Sequence, residues 1–552
     1  MISKRAFNLF SKSATISNQP YDILIVGGGP AGLALASSLG SNDSLKYLKI
    51  GLIEANSLDN VRTYNSNGLS AYSNRCSSIS AVCIYYTPIL VNLLKKYTGI
   101  GVLDGLDLSR VSPVNNMQVW DGRTDARITF GRQIDDEDLP LIKDNTTLSY
   151  MMENTNLQHA FLKHIEGSTS IELLESSKIS SIERDNEWPR VQLENGTSLR
   201  TRLLIGADGF NSPVRKFASI DSFGWAYNAA GFVSTLKTHP SNTISHSSRT
   251  AFQRFLPSGP IAYLPLPDRS ASMVWSTTPE MAKKFKQIDS RVLVLLINAA
   301  FRFSDDVLKI LYSKIDLEYD SFFSLIKEVE IAEGIDMTTS RQISELSNQD
   351  GIPPSDHELY PPLVTSIEEG SQASFPLKMN HVDGYDASRV ALVGDAAHSC
   401  HPLAGQGLNL GLADVQSLTS VLSEGRRYGG DIGSKTVLER YTRDRYIQNM
   451  MMLSATDKLN ALFKVNDGNP LVELRSIGLE TLNEIDSLKD LLMKQAGTTG
   501  NFEDSGRGSR GVNFIADGIE GVGKAVNMFS AVARQLGNIG EAKIAEIVDN
   551  KR

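Results

Sequence analysis

The chain has 552 residues, is 41% apolar and 21% charged, and carries a net charge of −8. That length exceeds a single hydrophobic core and predicts two or three domains, and the composition is that of a folded globular protein. The negative balance gives no electrostatic footing for nucleic acid, and no apolar run is long enough to span a bilayer, which leaves only peripheral membrane contact open. Cys76, Cys83 and Cys400 have neither disulfide nor metal-site spacing, which fits a reducing compartment.

The first twenty residues carry Lys4, Arg5 and Lys12 with Ser3, Ser11, Ser13 and Ser17, and no acid before Asp22. This reads as a mitochondrial presequence, with a disordered cytosolic N-terminus as the alternative. Tyr21 to Val26 is a buried strand, the glycine turn leads into a small-residue helix from Pro30 to Leu39, and Leu48 to Ile53 is a second strand ending at Glu54. Together they form one βαβ unit. Gln118 to Phe130 reads as a strand pair around Asp121-Gly122, and Leu157, Phe161 and Leu162 mark a helix. Leu199 to Ile205 is a further strand, and residues 220 to 280 are sheet-rich. From 281 to 372 the pattern is helical and charged, broken by Pro353-Pro354 and Pro361-Pro362. A helix begins at Gly411, and Met450 to Met493 is helical with a break at Gly468-Asn469-Pro470. Glycine and serine after Gly497 predict a linker, followed by an amphipathic segment from Val522 to Leu536.

Three motifs carry chemistry. In Gly27-Gly28-Gly29-Pro30-Ala31-Gly32, Gly27 permits the tight turn, Gly29 lets the main chain approach a pyrophosphate, and Gly32 lets strand and helix pack closely. The phosphates would meet unpaired N–H groups at the positive end of the helix. Glu54, 22 residues after Gly32, can accept from ribose hydroxyls and disfavours a 2′-phosphate, which argues against NADP here. The second motif, Gly206-Ala207-Asp208-Gly209, ends a strand and is followed by Asn211, Ser212 and Arg215 at a helix start. The third runs from Val390 through Gly394 and Asp395 to Pro402, Gly405, Gln406, Gly407 and Asn409. There Asp395 is placed for a ribityl hydroxyl, and the loop from Pro402 to Asn409 for backbone N–H contacts to the polar edge of a flavin. Cys400, between His398 and His401, can be read as a metal site, but packing in a glycine-rich loop is the stronger reading.

With these pieces in this order the sequence resembles the group A flavoprotein monooxygenases, and more narrowly the mitochondrial ring hydroxylases of ubiquinone biosynthesis, of the C5-hydroxylase type. His401 to Asn409, Gly259 to Pro267, Val274-Trp275-Ser276 and Phe375-Pro376-Leu377 carry the narrower resemblance. It implies an α/β fold: a para-hydroxybenzoate hydroxylase-like, Rossmann-type FAD-binding domain with an inserted β-sheet substrate domain and a C-terminal helical region. The implied division is a presequence at 1–20; a discontinuous FAD-binding domain at 21–115, 148–217 and 373–430; a substrate domain at 116–147 and 218–372; C-terminal helices at 431–495; and a linker and tail at 496–552. FAD is then held by Gly27, Gly29, Ala31, Gly32, Glu54, Asp208, Gly394, Asp395, Pro402, Gly405, Gln406, Gly407 and Asn409. Arg75 matches a position near the flavin or is a surface arginine.

The reaction implied is reduction of FAD, formation of a C4a-hydroperoxide with O2, and transfer of one oxygen to a polyprenylated phenol. No catalytic protein residue and no metal is expected; His398 is expected to stabilise its loop rather than move a proton. Implied partners are a ferredoxin and its reductase as electron donors, the ubiquinone-biosynthesis complex, and the matrix face of the mitochondrial inner membrane. Met450 to Phe463 or Val522 to Leu536 are candidates for the membrane face. Two other readings are a reductase or epoxidase acting on a polyprenyl lipid, and a non-catalytic lipid-binding scaffold that has lost the flavin. The latter predicts eroded flavin contacts, whereas the glycines and acids named above are all present.

Overall fold

The computed structural model describes residues 20–64, 82–85, 102, 105–131, 148–238, 249–333 and 360–465, with scattered positions between 469 and 483. All belong to the compact unit Met1–Gly500. The leader, Arg75, Pro353-Pro354 and the tail beyond 497 lie outside the described residues.

The described elements open with β1 (Tyr21–Val26), a glycine turn, and α1 (Pro30–Ser41), whose first position is proline and whose residues from Gly32 to Leu39 are all buried. β2 (Ile50–Ile53) and the single turn α2 (Asp59–Arg62) follow. Next come β3 (Val82–Tyr85), β4 (Val111–Val114), β5 (Asn116–Asp121), β6 (Arg127–Gly131) and β7 (Ser149–Met152), of which β3, β7 and β4 form a small antiparallel sheet. α3 (Asn154–Glu166) precedes β8 (Ile171–Leu174), β9 (Ile179–Asp185), β10 (Trp188–Leu193), β11 (Ser198–Gly206) and α4 (Pro213–Ala218). The long β12 (Ser222–Thr238) leads to β13 (Thr250–Leu256), β14 (Gly259–Leu266) and β15 (Ser270–Thr277). Four helices follow: α5 (Pro279–Phe285), α6 (Ser290–Arg302), α7 (Asp305–Ser313) and α8 (Tyr319–Glu333). The chain returns through β16 (Val364–Ile367), β17 (Ala373–Val382), β18 (Asp386–Ala387), β19 (Val390–Leu392) and β20 (His398–Ser399) to α9 (Gln406–Arg427) and α10 (Lys435–Phe463).

The first large sheet runs β18-β19-β11-β1-β2-β8, parallel from β19 to β8. β1 lies at its centre, with β2 on one side and β11 on the other. This is a topological switch point, and in such sheets ligands bind beyond the carboxyl ends of the strands. The register aligns those ends: Val26 pairs with both Ile53 and Gly206, and Gly206 pairs with Leu392. Glycine turn, Glu54, Asp208 and Asp395 therefore leave the sheet on one edge, although they are far apart in sequence. α1 packs beneath α9, where Ser38 and Thr419 share a buried hydrogen bond of 3.0 Å.

The second sheet runs β20-β17-β12-β15-β14-β13-β5-β6, with β16 added against β12. Its faces differ because side chains alternate along each strand. One face carries Phe232, Trp275 and Ile261 in register, together with Phe252, Tyr263 and Trp120. It is covered by α5 to α8, and α6 is buried without interruption from Val292 to Phe301. Full burial of each such side chain contributes roughly 1.5–3 kcal/mol. The opposite face is built from smaller residues and looks into a cavity.

Four expectations are refined. Within the segment 281–372 the helices α5 to α8 turn apolar faces inward and close a core. Ala373–Val382, expected within the flavin domain, is instead β17 and pairs along β12, because the length of β12 offers an edge that β17 completes. The helix expected from Gly411 already begins at Gln406: Pro402–Ala404 is a tight 3-10 turn, and Gly405 at φ +60° lets the helix start at once. Gly407 reads as loop in sequence, but it lies inside the helix, where tertiary packing outweighs its weak helix propensity. α10 likewise starts at Lys435, before the expected Met450.

Candidate functional site

A cavity of about 860 Å³ opens along the edge where the parallel strands end, lined by Gly27, Gly29, Ala31, Glu54, Asp208 and Asp395, and at its far side by the second sheet. The glycine turn sits there for steric reasons. Gly27 adopts φ +109°, and a Cβ on it would fall inside 3.0 Å of the Ala207 carbonyl, so the first motif is seated directly on the second. A Cβ on Gly32 would collide with the Gly27 carbonyl. Gly29 differs, because a Cβ there meets nothing within 4 Å and would project into open space. Gly29 caps α1 with no side-chain hydrogen bond, so the first-turn N–H groups are left for a ligand at the cavity wall.

Glu54 accepts from the Gly28 N–H at 2.6 Å and from the Asn56 N–H at 2.9 Å, which fixes its carboxylate at the end of β2. Asp208 accepts from the Val214 N–H at 3.2 Å and so holds the start of α4, while its Oδ1 is buried with no partner. Burial raises the Asp208 pKa against the hydrogen bonds from Ser212 and Val214. Asp395 lies in the 3-10 turn Gly394–Ala396 with its side chain open to the cavity. The surrounding protein raises its pKa too, and His398 opposes the shift. Arg215 ties the second motif to the third, donating to the Phe210 carbonyl at 2.6 Å and the Ala396 carbonyl at 2.7 Å.

Pro402, Gly405 and Gly407 also line the cavity. Gln406 and Asn409 do not; both are largely buried in the first turn of α9, and Asn409 Nδ2 donates to the Gly405 carbonyl at 3.1 Å. Cys400 lines the cavity as a neutral thiol, its pKa pushed up to about 12 by burial, with Asp395 adding to the rise.

Beneath this loop lies a buried polar network of which sequence reasoning selected only His398. Asp414 on α9 accepts from the Gly394 N–H at 3.1 Å, His398 Nε2 at 2.6 Å, Arg445 Nε at 2.9 Å and Asn449 Nδ2 at 3.0 Å. Burial works against its ionisation, but His398, Arg445 and Asn449 prevail and hold its carboxyl below the usual range. His398 is thereby committed to Asp414. Asp414 is a site-forming residue that sequence reasoning did not select, whereas Gly28 and Arg215 were named only as parts of their motifs. A carboxylate within the helix following a Gly-Asp turn is the only available signal for Asp414.

The donor set fits a flavin dinucleotide. It offers uncapped helix N–H groups for phosphate, an open approach at Gly29, and three carboxylates for hydroxyl groups, one with an orphaned oxygen. Beyond them the cavity runs along an apolar sheet face, with Val233, Val274, Ala262 and Leu264 as wall residues.

The "FAD binding domain" family matches residues 101–310 and 356–455, over half of the chain. The chain is 36% identical over 491 residues to "Ubiquinone biosynthesis monooxygenase COQ6, mitochondrial" of Schizosaccharomyces pombe, covering 87% of this chain and 92% of that protein. It is 34% identical over 492 residues to the human protein of the same name, covering 87% and 93%. Among solved structures, p-nitrophenol 4-monooxygenase PnpA from Pseudomonas putida DLL-E4 superposes with a TM-score of 0.56 at 16% identity, covering 87% of this chain and 98% of that one. The Diels-Alderase PyrE3 of pyrroindomycin biosynthesis superposes with a TM-score of 0.52 at 17% identity, covering 86% and 80%. The fold thus hosts more than one reaction, and the sequence relatives decide between them: the chain belongs to the FAD-dependent ubiquinone-biosynthesis monooxygenases, and FAD is its cofactor.

Proposed function

We propose that this protein hydroxylates the aromatic ring of a polyprenylated phenol on the route to ubiquinone, using O2, in the mitochondrion. The observation that carries the reading is the continuity of one cavity from the three flavin motifs to the apolar face of the second sheet. Bound there, FAD supplies two-electron activation of O2 and delivery of one oxygen atom to the ring.

The chain's own residues then have distinct tasks. The N–H groups after Gly29 bind the pyrophosphate, and Gly27, Ala31 and Gly32 shape that turn. Glu54, Asp208 and Asp395 hold hydroxyl groups of the cofactor. Pro402, Gly405, Gln406, Gly407 and Asn409 form the turn that opens α9, whose positive end favours negative charge on the reduced ring. Val233, Val274 and Ala262 exclude water from the reacting ring.

The matrix face of the inner membrane is the proposed address. The acid-free leader supports it, as does an exposed apolar stripe on α10 formed by Ile447, Met451, Leu459 and Leu462. Among the described residues no helix is long and apolar enough to cross a membrane. Electrons come from a ferredoxin and its reductase, and the enzyme works with other proteins of ubiquinone synthesis; the resemblance set out above supports both statements.

The test begins with the visible spectrum of the purified protein and identification of the released chromophore. Reconstitution follows, with a farnesylated phenol, O2, and either ferredoxin with its reductase or NADPH. Stoichiometric FAD and ferredoxin-dependent product are expected. Folded protein that takes up no FAD, or holoenzyme that forms no hydroxylated ring with either donor, overturns the proposal.

A further inference from the structure

β13 is buried at all seven positions, and its sequence places two polar residues, Gln253 and Arg254, side by side within it. They face opposite ways. Arg254 enters the helical layer and donates to the Ala300 carbonyl at 3.0 Å and the Gly122 carbonyl at 3.2 Å. Gln253 enters the cavity, where it is only 6% exposed. Across the sheet it is aligned with Ala262, Val274 and Val233 on one side and Val119 on the other. Every one of these is apolar. Its backbone belongs to the sheet, but among the described residues its side-chain amide has no hydrogen-bond partner within the protein.

A primary amide that opens into a cavity and is held by no side-chain hydrogen bond is free to bond whatever fills that cavity, and in an otherwise apolar wall it is the group that can fix a polar substituent. The amide offers two donors and one acceptor, the complement of an un-ionised ring hydroxyl. Its place is also specific. Val119, paired with Gln253, and Phe255, two residues beyond it on the same face, pack against Leu403 of the flavin loop. Gln253 therefore stands at the end of the apolar chamber nearest that loop.

We propose that Gln253 is a specificity-determining residue that binds the hydroxyl of the aromatic substrate and so fixes which ring carbon faces the flavin. This deepens the hydroxylase reading above and rests on it. The apolar wall admits a prenylated ring of any substitution, whereas a single amide at one end admits it in one orientation. A site built around a hydrogen bond discriminates strongly against an analogue that lacks the partner group.

The test uses holoenzyme titrated with a farnesylated phenol and with the same compound bearing hydrogen in place of the hydroxyl, followed by the flavin absorbance change. Wild type is expected to prefer the phenol by about tenfold to a hundredfold, the range for a lost hydrogen bond in a desolvated site. Gln253→Met should keep full FAD content, bind both compounds alike, and divert turnover from hydroxylated product to hydrogen peroxide. Retained preference in Gln253→Met, or no preference in wild type, overturns the proposal. Gln253→Leu is the second variant, and loss of FAD from both makes the residue structural and overturns it too. Wild type that prefers the phenol yet forms no hydroxylated product sinks the hydroxylase reading while leaving the ring contact in place.

Discussion

A methyl group placed at Gly29 separates binding of the cofactor from folding of the chain. In the protein without ligand that methyl meets nothing within 4 Å, and Gly29 has an ordinary φ of −71°, so Gly29→Ala introduces neither strain nor collision. The space it enters is the approach to the uncapped N–H groups of α1, where the pyrophosphate is proposed to lie. Overpacking of a close-fitted site costs about 1–3 kcal/mol, equivalent to roughly a fivefold to 150-fold weaker FAD dissociation constant. Gly27→Ala is the contrasting variant. There the added carbon falls inside 3.0 Å of the Ala207 carbonyl and the backbone is held at φ +109°. Strain of about 1–3 kcal/mol adds to a comparable packing penalty, and both act on the fold itself. The assay is urea unfolding of the apoprotein beside an FAD titration of each variant. Gly29→Ala should unfold with the wild-type midpoint and bind FAD weakly; Gly27→Ala should lose midpoint first. Wild-type FAD affinity in Gly29→Ala would refute the placement of the phosphates at this turn.

Asp395→Ala removes a carboxylate that faces the cavity and caps nothing, so it should lower FAD occupancy and abolish hydroxylation with little change in melting temperature; full flavin content with normal turnover would remove the role given to it. Arg445→Met strips Asp414 of a buried cationic partner, and breaking such a pair costs about 3–5 kcal/mol; a midpoint shift below about 1 kcal/mol in chemical unfolding would show that His398 and Asn449 suffice. His381 and His401 are buried, and burial depresses each pKa to about 4. Below the unfolded value near 6.5 the unfolded chain binds protons that the native chain refuses, so stability should fall as pH drops from about 6.5 to 4, by on the order of 2–3 kcal/mol per histidine. Unfolding free energies that stay flat across that window, or that His401→Phe leaves with the wild-type slope, would contradict this.

Sequence by itself determined the βαβ unit, the flavin motifs, the family and the cofactor, because these are local. A glycine turn, a strand-terminal acid and a Gly-Asp step are each written in a few adjacent residues whose backbone demands are fixed by sterics. Most helices, and the strands that lead into the motifs, were legible for the same reason. Tertiary structure decided the rest. The joining of four distant strand ends at one edge is set by parallel pairing around β1, which no local window contains. β17 joined the second sheet because β12 is long enough to pair with it. α9 began five residues early because Gly405 could adopt φ +60° and Gly411 could lie against Gly394. Asp414 gave only a weak signal, since its partners Gly394, His398, Arg445 and Asn449 meet only when α9 and α10 pack over the loop. Gln253 and Arg254 are adjacent polar residues in an apolar strand. Only the register of the sheet shows that one is tied to backbone carbonyls behind it while the other faces the cavity, because alternation assigns sides and the fold assigns what each side meets.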